Sequence, residues 1–384
     1  MINLTIGNDA GNSLMKMVID GELIIQPDTV AEISSLPDTD SLSPEWVLEH
    51  GMDNIIATIE SKSVKNGLAT TYYVGNYATN SGKVLRSIRV GGENSKVNDD
   101  IPVISTLSMV AMYSCQKEFG KVKNSININK DSIDVTINMA TALPVKQKTK
   151  ENSAAYAAKF MGDHKVTIFL GAKKVLVNVH INYTYVLAEG VTTSHYLQNH
   201  ELEGVSDLKN KRILHVPIGE GTTEYVLTTD GVHFDPRFTD GDTNGVGKAI
   251  TSILADFRNK FGYSKLSRQE FIAIIQDEND HYHAEAKEMI SGPLKEQAYE
   301  ISENIINNVN KANFKVDVVL VYGGGSILMK DALTDEIKPF LTKHKMELVF
   351  VPEELAVSIE AQGLYEFTQS PIFKRLLEIN EENK

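Results

Sequence analysis

Two short segments carry small residues and hydroxyls at a spacing that suits an anionic ligand. They are Gly7-Asn8-Asp9-Ala10-Gly11-Asn12-Ser13 and Pro217-Ile218-Gly219-Glu220-Gly221-Thr222-Thr223. Glycines in a turn between strands let backbone N–H groups approach an anion with no side chain in the way. In the first segment Gly7, Gly11 and Asn12 would do this, with the Ser13 hydroxyl beside them. Asp9 stands at a strand end, where a carboxylate can hold Mg²⁺ through water, and Lys16 follows on the exit strand within reach of a phosphate. In the second segment Gly219 and Gly221 give backbone access, while Thr222 and Thr223 offer hydroxyl donors. Either turn alone is also readable as an ordinary hairpin. Two in register point to one charged ligand gripped by two half-molecules.

Three further features bear on chemistry. Val321-Tyr322-Gly323-Gly324-Gly325-Ser326 is an apolar strand running into glycines and then a helix, and strand ends and helix N-termini both favour phosphate. It is not a Walker loop, because no Gly-Lys-Ser/Thr follows. Glu189, between the strand Val175–Leu187 and Gly190, could orient a water against a terminal phosphate. Such a glutamate is more often solvated or helix-capping, and only its order between the two turns raises it. His195, His200, His281 and His283 invite a metal reading, but His281-x-His283 with Glu285 lies in the charged stretch Asp277–Glu288, which reads better as a solvated helix face.

The elements that must position these groups repeat. Each segment follows an apolar run, Ile2–Ile6 or Ile213–Val216, and precedes an Asp-Gly pair, Asp20-Gly21 or Asp230-Gly231. Gly11 to Asp20 spans the same interval as Gly221 to Asp230, so each half reads as strand, turn, strand, hairpin, strand. Residues 27–101 lose clear periodicity, apart from a strand at Thr71–Val74, and are expected to be an inserted subdomain. Ile101–Phe119 predicts a buried helix, Ile133–Thr141 a strand, Lys150–Phe160 a helix, and Val166–Leu170 and Val175–Leu187 strands. Beyond the second hairpin come a loop at Gly241–Gly247 and helices at Lys248–Phe261, Arg268–Gln276 and about Asn279–Val309. A buried parallel strand Val316–Tyr322, a helix, a strand Glu347–Val351 and a helix Leu355–Phe367 complete an α/β architecture built twice.

At 384 residues and 42% hydrophobic content the chain suits two domains better than one. Its net charge of −13 argues against a broad phosphate-tracking surface, so direct nucleic-acid binding is not expected. The single Cys115 lies in an apolar stretch and allows neither a disulfide framework nor a cysteine metal site. No apolar run is long enough to span a bilayer, and the expected location is cytoplasmic. The stretch Pro371–Leu377 could form an amphipathic helix, for which packing on the core or a loose tail is expected ahead of membrane binding.

In order and spacing these parts resemble the nucleotide-binding core of the actin superfamily. Asp9–Lys16 looks like its first phosphate motif, Gly219–Glu224 like its second, Gly323–Ser326 like its adenosine motif, and Asn138–Val145 like its first connecting segment. Val74–Ala78 and Thr141–Val145 are reminiscent of the ParM and Alp group of plasmids. The resemblance implies duplicated ribonuclease-H-like domains with a nucleotide cleft between them, 1–187 and 188–367, subdomains at about 27–101 and 241–315, and a tail at 368–384. It further implies a nucleoside triphosphatase using ATP or GTP with Mg²⁺. Gly11, Asn12, Ser13, Lys16, Gly219, Glu220, Gly221, Thr222, Thr223, Gly323, Gly324, Gly325 and Ser326 would bind nucleotide, Asp9 would hold the metal's waters, and Glu189 would place the attacking water. The implied partners are other copies in a filament and a ParR-like DNA-binding adaptor on centromere-like DNA. A membrane-associated or cytoskeletal bacterial actin homologue, or a small-molecule kinase, is the alternative.

One departure stands out. The superfamily usually carries an Asp just before the second phosphate turn, where this chain has Pro217; Glu220 or Glu224 is the nearest substitute.

Overall fold

The computed structural model describes residues 1–37, 41–88, 95–120, 128–202, 207–229 and 233–382. These form two compact units. One comprises Met1–Leu143, Gln147–Ala188 and Glu360–Lys384, the other Pro144–Lys146 and Glu189–Ile359.

The first unit is built on a sheet of β1 (Ile2–Ala10), β2 (Leu14–Ile19), β3 (Glu22–Pro27), β4 (Thr29–Ile33), β5 (Ile56–Glu60), β6 (Thr70–Val74), β7 (Arg86–Ser87), β8 (Ser132–Leu143), β9 (Gly162–Leu170) and β10 (Lys173–Ala188). Its spatial order is β3-β2-β1-β8-β10-β9-β5-β6-β4-β7. The second unit carries β11 (Ile213–Pro217), β12 (Thr223–Thr229), β13 (His233–Asp242), β14 (Val318–Tyr322) and β15 (Glu347–Phe350), ordered β13-β12-β11-β14-β15. In both, an antiparallel three-strand meander continues into two parallel neighbours: β1 with β8 and β8 with β10, then β11 with β14 and β14 with β15. The duplication expected from the sequence is therefore present strand for strand.

Local chemistry explains the joints. Ile19 pairs with Glu22 across a two-residue turn in which Asp20 (φ 49°) and Gly21 (φ 90°) are both left-handed, the conformation Asp-Gly tolerates best. The corresponding Asp230-Gly231 turn lies outside the described residues, between the paired residues Thr229 and His233. The helix Ile101–Phe119 is apolar nearly all round and buried along almost its whole length, with Pro102 in its first turn. Residues 27–101 are less separate than their lost periodicity suggests: β5 pairs with β9, so their strands extend the first sheet.

Some expected boundaries move. The strand β1 runs through Gly7 to Ala10, so the first turn begins at Gly11. Gly7 lies under the helix Ile359–Gln369, where a Cβ would fall 2.4 Å from the Tyr365 nitrogen, and its role is close packing. The helix expected from Asn279 starts at His283. Asp277 and Asp280 accept the amides of Asn279 and Tyr282, and such side-chain turns compete with helix. The helix expected over Leu355–Phe367 is split into Glu353–Ala356 and Ile359–Gln369. The C-terminal helix Pro371–Glu382 buries Phe373 against Phe367 and Tyr183 of the first unit. Among the described residues no helix is long and apolar enough to cross a membrane.

Candidate functional site

In the first unit the β1–β2 hairpin brings Asp9 and Lys16 directly opposite each other. Their carboxylate and ammonium are 2.5 Å apart, and the Asp9 side chain is 3% exposed. Burial alone would push the Lys16 ammonium down, but the Asp9 carboxylate, helped by Glu360, holds it above its ordinary value. Between them the turn closes with the Gly11 amide donating to the Leu14 carbonyl at 3.0 Å. A Cβ on Gly11 would sit 2.8 Å from that carbonyl oxygen and 3.3 Å from Lys16 Nζ, so the turn needs glycine. Asn12 and Ser13 are half-buried, and Ser13 Oγ has no hydrogen-bond partner among the described residues. A buried hydroxyl without a partner, beside a lysine and a glycine turn, fits a phosphate oxygen.

The second unit repeats this hairpin with different chemistry. Gly219 N–H donates to the Thr222 carbonyl at 2.9 Å, closing a four-residue turn like Gly11–Leu14. Strand register therefore matches Gly11 with Gly219, two residues from the Gly221 suggested by sequence interval. Ala10 pairs with Met15 and Ile218 with Thr223, so the counterpart of Asp9 is Pro217 and that of Lys16 is Glu224. The missing Asp is thus a missing strand-end carboxylate, and the strand opposite carries an acid instead of a lysine. Glu220 forms an ion pair with Arg268 at 2.7 Å, and Glu224 is buried against Gly241. The Thr223 hydroxyl is also committed, donating to Asn244 O at 2.8 Å, which leaves Thr222 as the half-buried hydroxyl of the turn.

The Gly323–Ser326 segment joins this turn. Pro217 and Tyr322 are register partners at the ends of the parallel strands β11 and β14. Ile218 N–H donates to Tyr322 O at 2.8 Å, and Gly325 N–H to Ile218 O at 2.9 Å. Gly323 (φ 91°) makes the bend into the helix Gly324–Lys343, and the Ser326 hydroxyl donates back to its carbonyl at 2.7 Å. Gly325 is pressed on Ile218, whereas Gly324 is exposed, with nothing within 4 Å of the point where a Cβ would stand. On the other side, Val246 and Gly247 donate to Gly219 O and Glu220 O at 3.1 and 2.8 Å, seating the start of the helix Gly247–Phe261 on the same turn. Two helix N-termini and two glycine turns thus meet at the C-terminal ends of neighbouring parallel strands, an arrangement that favours an anion.

Glu189 follows β10 and is half-buried. Gly190 (φ 83°) packs on Val226 of β12, and its carbonyl is 3.4 Å from the Tyr322 hydroxyl, so the Glu189 corner is anchored to the sheet that carries the second turn. His283 Nδ1 lies 3.3 Å from the Ile274 carbonyl, and His281 precedes the helix. Among the described residues no group of three or more His, Cys, Asp or Glu is placed to hold a metal. A Mg²⁺ carried on phosphates needs only one or two protein carboxylates, and Asp9 fits that requirement.

Residues 7–191 match the family model for the actin like proteins N terminal domain. The actin-like protein Alp7A superposes with a TM-score of 0.69 at 17% identity, over 99% of this chain and 100% of that one. Ta0583, an archaeal actin homolog, gives 0.64 at 18% identity over 95% and 99% of the two chains. Bacillus thuringiensis ParM with ADP gives 0.62 at 16% identity over 97% and 99%. No curated protein matches the sequence. Residues 7–191 thus match the N-terminal domain of the actin like proteins, and the chain has the two-domain actin-like fold along its length.

Proposed function

We propose that the chain is a nucleoside triphosphatase that assembles into filaments and segregates plasmid DNA through a ParR-like adaptor. The observation that carries this reading is the meeting of the Gly219–Thr222 turn, the Gly323–Ser326 bend and two helix N-termini at the ends of β11 and β14. The Asp9–Lys16 pair beside the Gly11–Ser13 turn supports it from the first unit. Solved relatives include Bacillus thuringiensis ParM with ATP and with ADP, which supports a nucleotide ligand.

On this reading the Gly11–Ser13 and Gly219–Thr222 turns bind the phosphates of ATP or GTP. Gly11 and Gly219 close the turns and leave them open to backbone approach, and the amides that follow, from Asn12 and from Glu220 to Gly221, with Ser13 and Thr222 hydroxyls and Lys16, bind phosphate oxygens. Gly323, Gly324, Gly325 and Ser326 form the floor for the nucleoside, and Gly324 leaves it open. Asp9 would hold a Mg²⁺ through water, and the ion would offset phosphate charge. Glu189 positions the attacking water, so catalysis is mainly positioning. A head-to-tail contact that does not close on itself builds a filament. The acidic chain leaves cargo DNA to the adaptor, within the cytoplasm.

Sedimentation and light scattering with and without Mg²⁺ and ATP or GTP test this reading. Nucleotide-dependent pelleting is expected; absence of assembly with every nucleotide would remove the filament assignment, and phosphate transfer to a sugar would replace it with a kinase.

A further inference from the structure

Behind the Gly11–Ser13 turn lies a layer of buried polar groups that the phosphate assignment does not use. Asp28 occupies the single-residue link between β3 and β4. Its amide donates to the Ser13 carbonyl at 2.7 Å. Its carboxylate Oδ1 accepts from the Ser105 hydroxyl at 2.6 Å. The next residue of the same helix, Thr106, accepts from the Asn8 side-chain amide at 3.0 Å. Asn8 immediately precedes Asp9, and Ser13 closes the turn. One turn of the helix Ile101–Phe119 therefore holds the phosphate segment at both ends.

All four side chains are fully buried, Asp28, Asn8, Ser105 and Thr106 each being 0% exposed. Burying a carboxylate is unfavourable, and an apolar side chain would fill this space without that penalty. Asp28 Oδ2 has no hydrogen-bond partner among the described residues. Burial pushes the Asp28 carboxyl up to about 7; the Ser105 bond and Lys96 oppose this, while Asp99 and Asp9 add to it. The charged groups that face it are thus Lys96 from the short helix Ser95–Asn98, Asp99 just beyond, and Asp9 from β1.

We propose that Asp28 is a positioning residue for the triphosphate: it fixes the Gly11–Ser13 turn in its anion-accepting form and, through Ser105, ties that turn to the Ile101–Phe119 helix. This rests on the nucleotide assignment above. Because a trans peptide sets its C=O and N–H in opposite directions, holding the Ser13 carbonyl toward Asp28 turns the following N–H away from it. A neutral Asp28 keeps the Ser105 bond without adding negative charge behind a site meant for phosphate. Its ionised form repels the ligand, so affinity falls as pH rises through neutrality.

The test is titration of the 384-residue chain with a fluorescent N-methylanthraniloyl ATP plus Mg²⁺, at pH 6 and pH 8. Wild type is compared with Asp28→Asn, Asp28→Ala, Ser105→Ala and Lys16→Ala. Asp28→Ala and Ser105→Ala should weaken binding about ten-fold, as loss of a buried hydrogen bond does. Asp28→Asn should restore affinity at pH 6 and remove the extra weakening that wild type shows at pH 8. If Asp28→Ala does not fold, judged by circular dichroism, Ser105→Ala and the pH profile of Asp28→Asn decide. Wild-type affinity in Ser105→Ala and Asp28→Ala, or an unchanged pH profile in Asp28→Asn, overturns the proposal. Binding lost in Lys16→Ala but intact in those two leaves the nucleotide assignment standing and removes only the role of Asp28. A wild type that binds no nucleotide removes both.

Discussion

Asp9 on β1 and Lys16 on β2 are direct cross-strand partners whose charged groups lie 2.5 Å apart, and the second hairpin puts Pro217 and Glu224 in their places. The two halves share a backbone and differ in electrostatics. Of the two hairpins, only the first sets a lysine opposite a strand-end carboxylate, so only the first carries the charged pair that the proposed nucleotide reading uses.

That pair sets a stability prediction. Replacing Lys16 by Met leaves a buried, unpaired carboxylate and should cost about 3–5 kcal/mol in denaturant unfolding. Asp9→Asn combined with Lys16→Met removes the orphan charge as well and should recover part of the loss. A double variant less stable than Lys16→Met alone would mean that the pair is not coupled as the geometry indicates.

Gly324 and Gly325 separate packing from ligand access. A Cβ on Gly325 would meet Ile218 Cγ2 at 2.6 Å and Ile218 O at 2.9 Å, so Gly325→Ala should destabilise the protein by about 1–3 kcal/mol. Gly324 has open space around it and lies in the first turn of a helix, so Gly324→Ala should leave the thermal midpoint unchanged or slightly higher. If nucleotide rests there, its affinity should nonetheless fall. Unaltered binding in Gly324→Ala would place the nucleoside elsewhere.

The hairpins and buried strands are legible in the sequence because glycine turns, Asp-Gly pairs and β-branched runs are local signals. Asp20-Gly21 dictates its own turn whatever surrounds it. Gly7 reads locally as part of an anion cradle and is not, since close approach of the Ile359–Gln369 helix is a tertiary fact with no local mark. The alignment of Gly11 with Gly221 fails because register is set by cross-strand pairing, not by interval. Asp28 is invisible for the same reason: its partners Ser13 and Ser105 are brought to it only by the folded sheet and helix.

His215 gives a pH prediction. It is fully buried on β11, Nε2 meets Thr228 Oγ1 at 3.0 Å, and burial pushes its imidazole down to about 3. The unfolded chain protonates near pH 6.5 and the folded one near 3. Stability from the neutral ring is therefore complete above about pH 6.5 and is lost as pH falls toward 3, by up to about 1.4 kcal/mol per unit. His215→Gln cannot take up that proton and should unfold at lower pH than wild type when followed by circular dichroism. An acid midpoint identical to wild type would show that another group dominates acid unfolding.

Glu189 tests the chemistry apart from binding. Its corner is fixed by Gly190 against Val226 and by the Tyr322 hydroxyl, so shortening the side chain should leave the backbone in place. A water-positioning carboxylate acts in the transition state and contributes little to ground-state affinity. Glu189→Ala should therefore slow phosphate release in single turnover by about 10²-fold or more, with affinity for Mg·ATP within about two-fold of wild type. Filaments of the variant should then persist after ATP addition, because hydrolysis would no longer weaken subunit contacts. If binding collapsed together with turnover, Glu189 would belong to the binding site instead, and the water would have to be held by another residue.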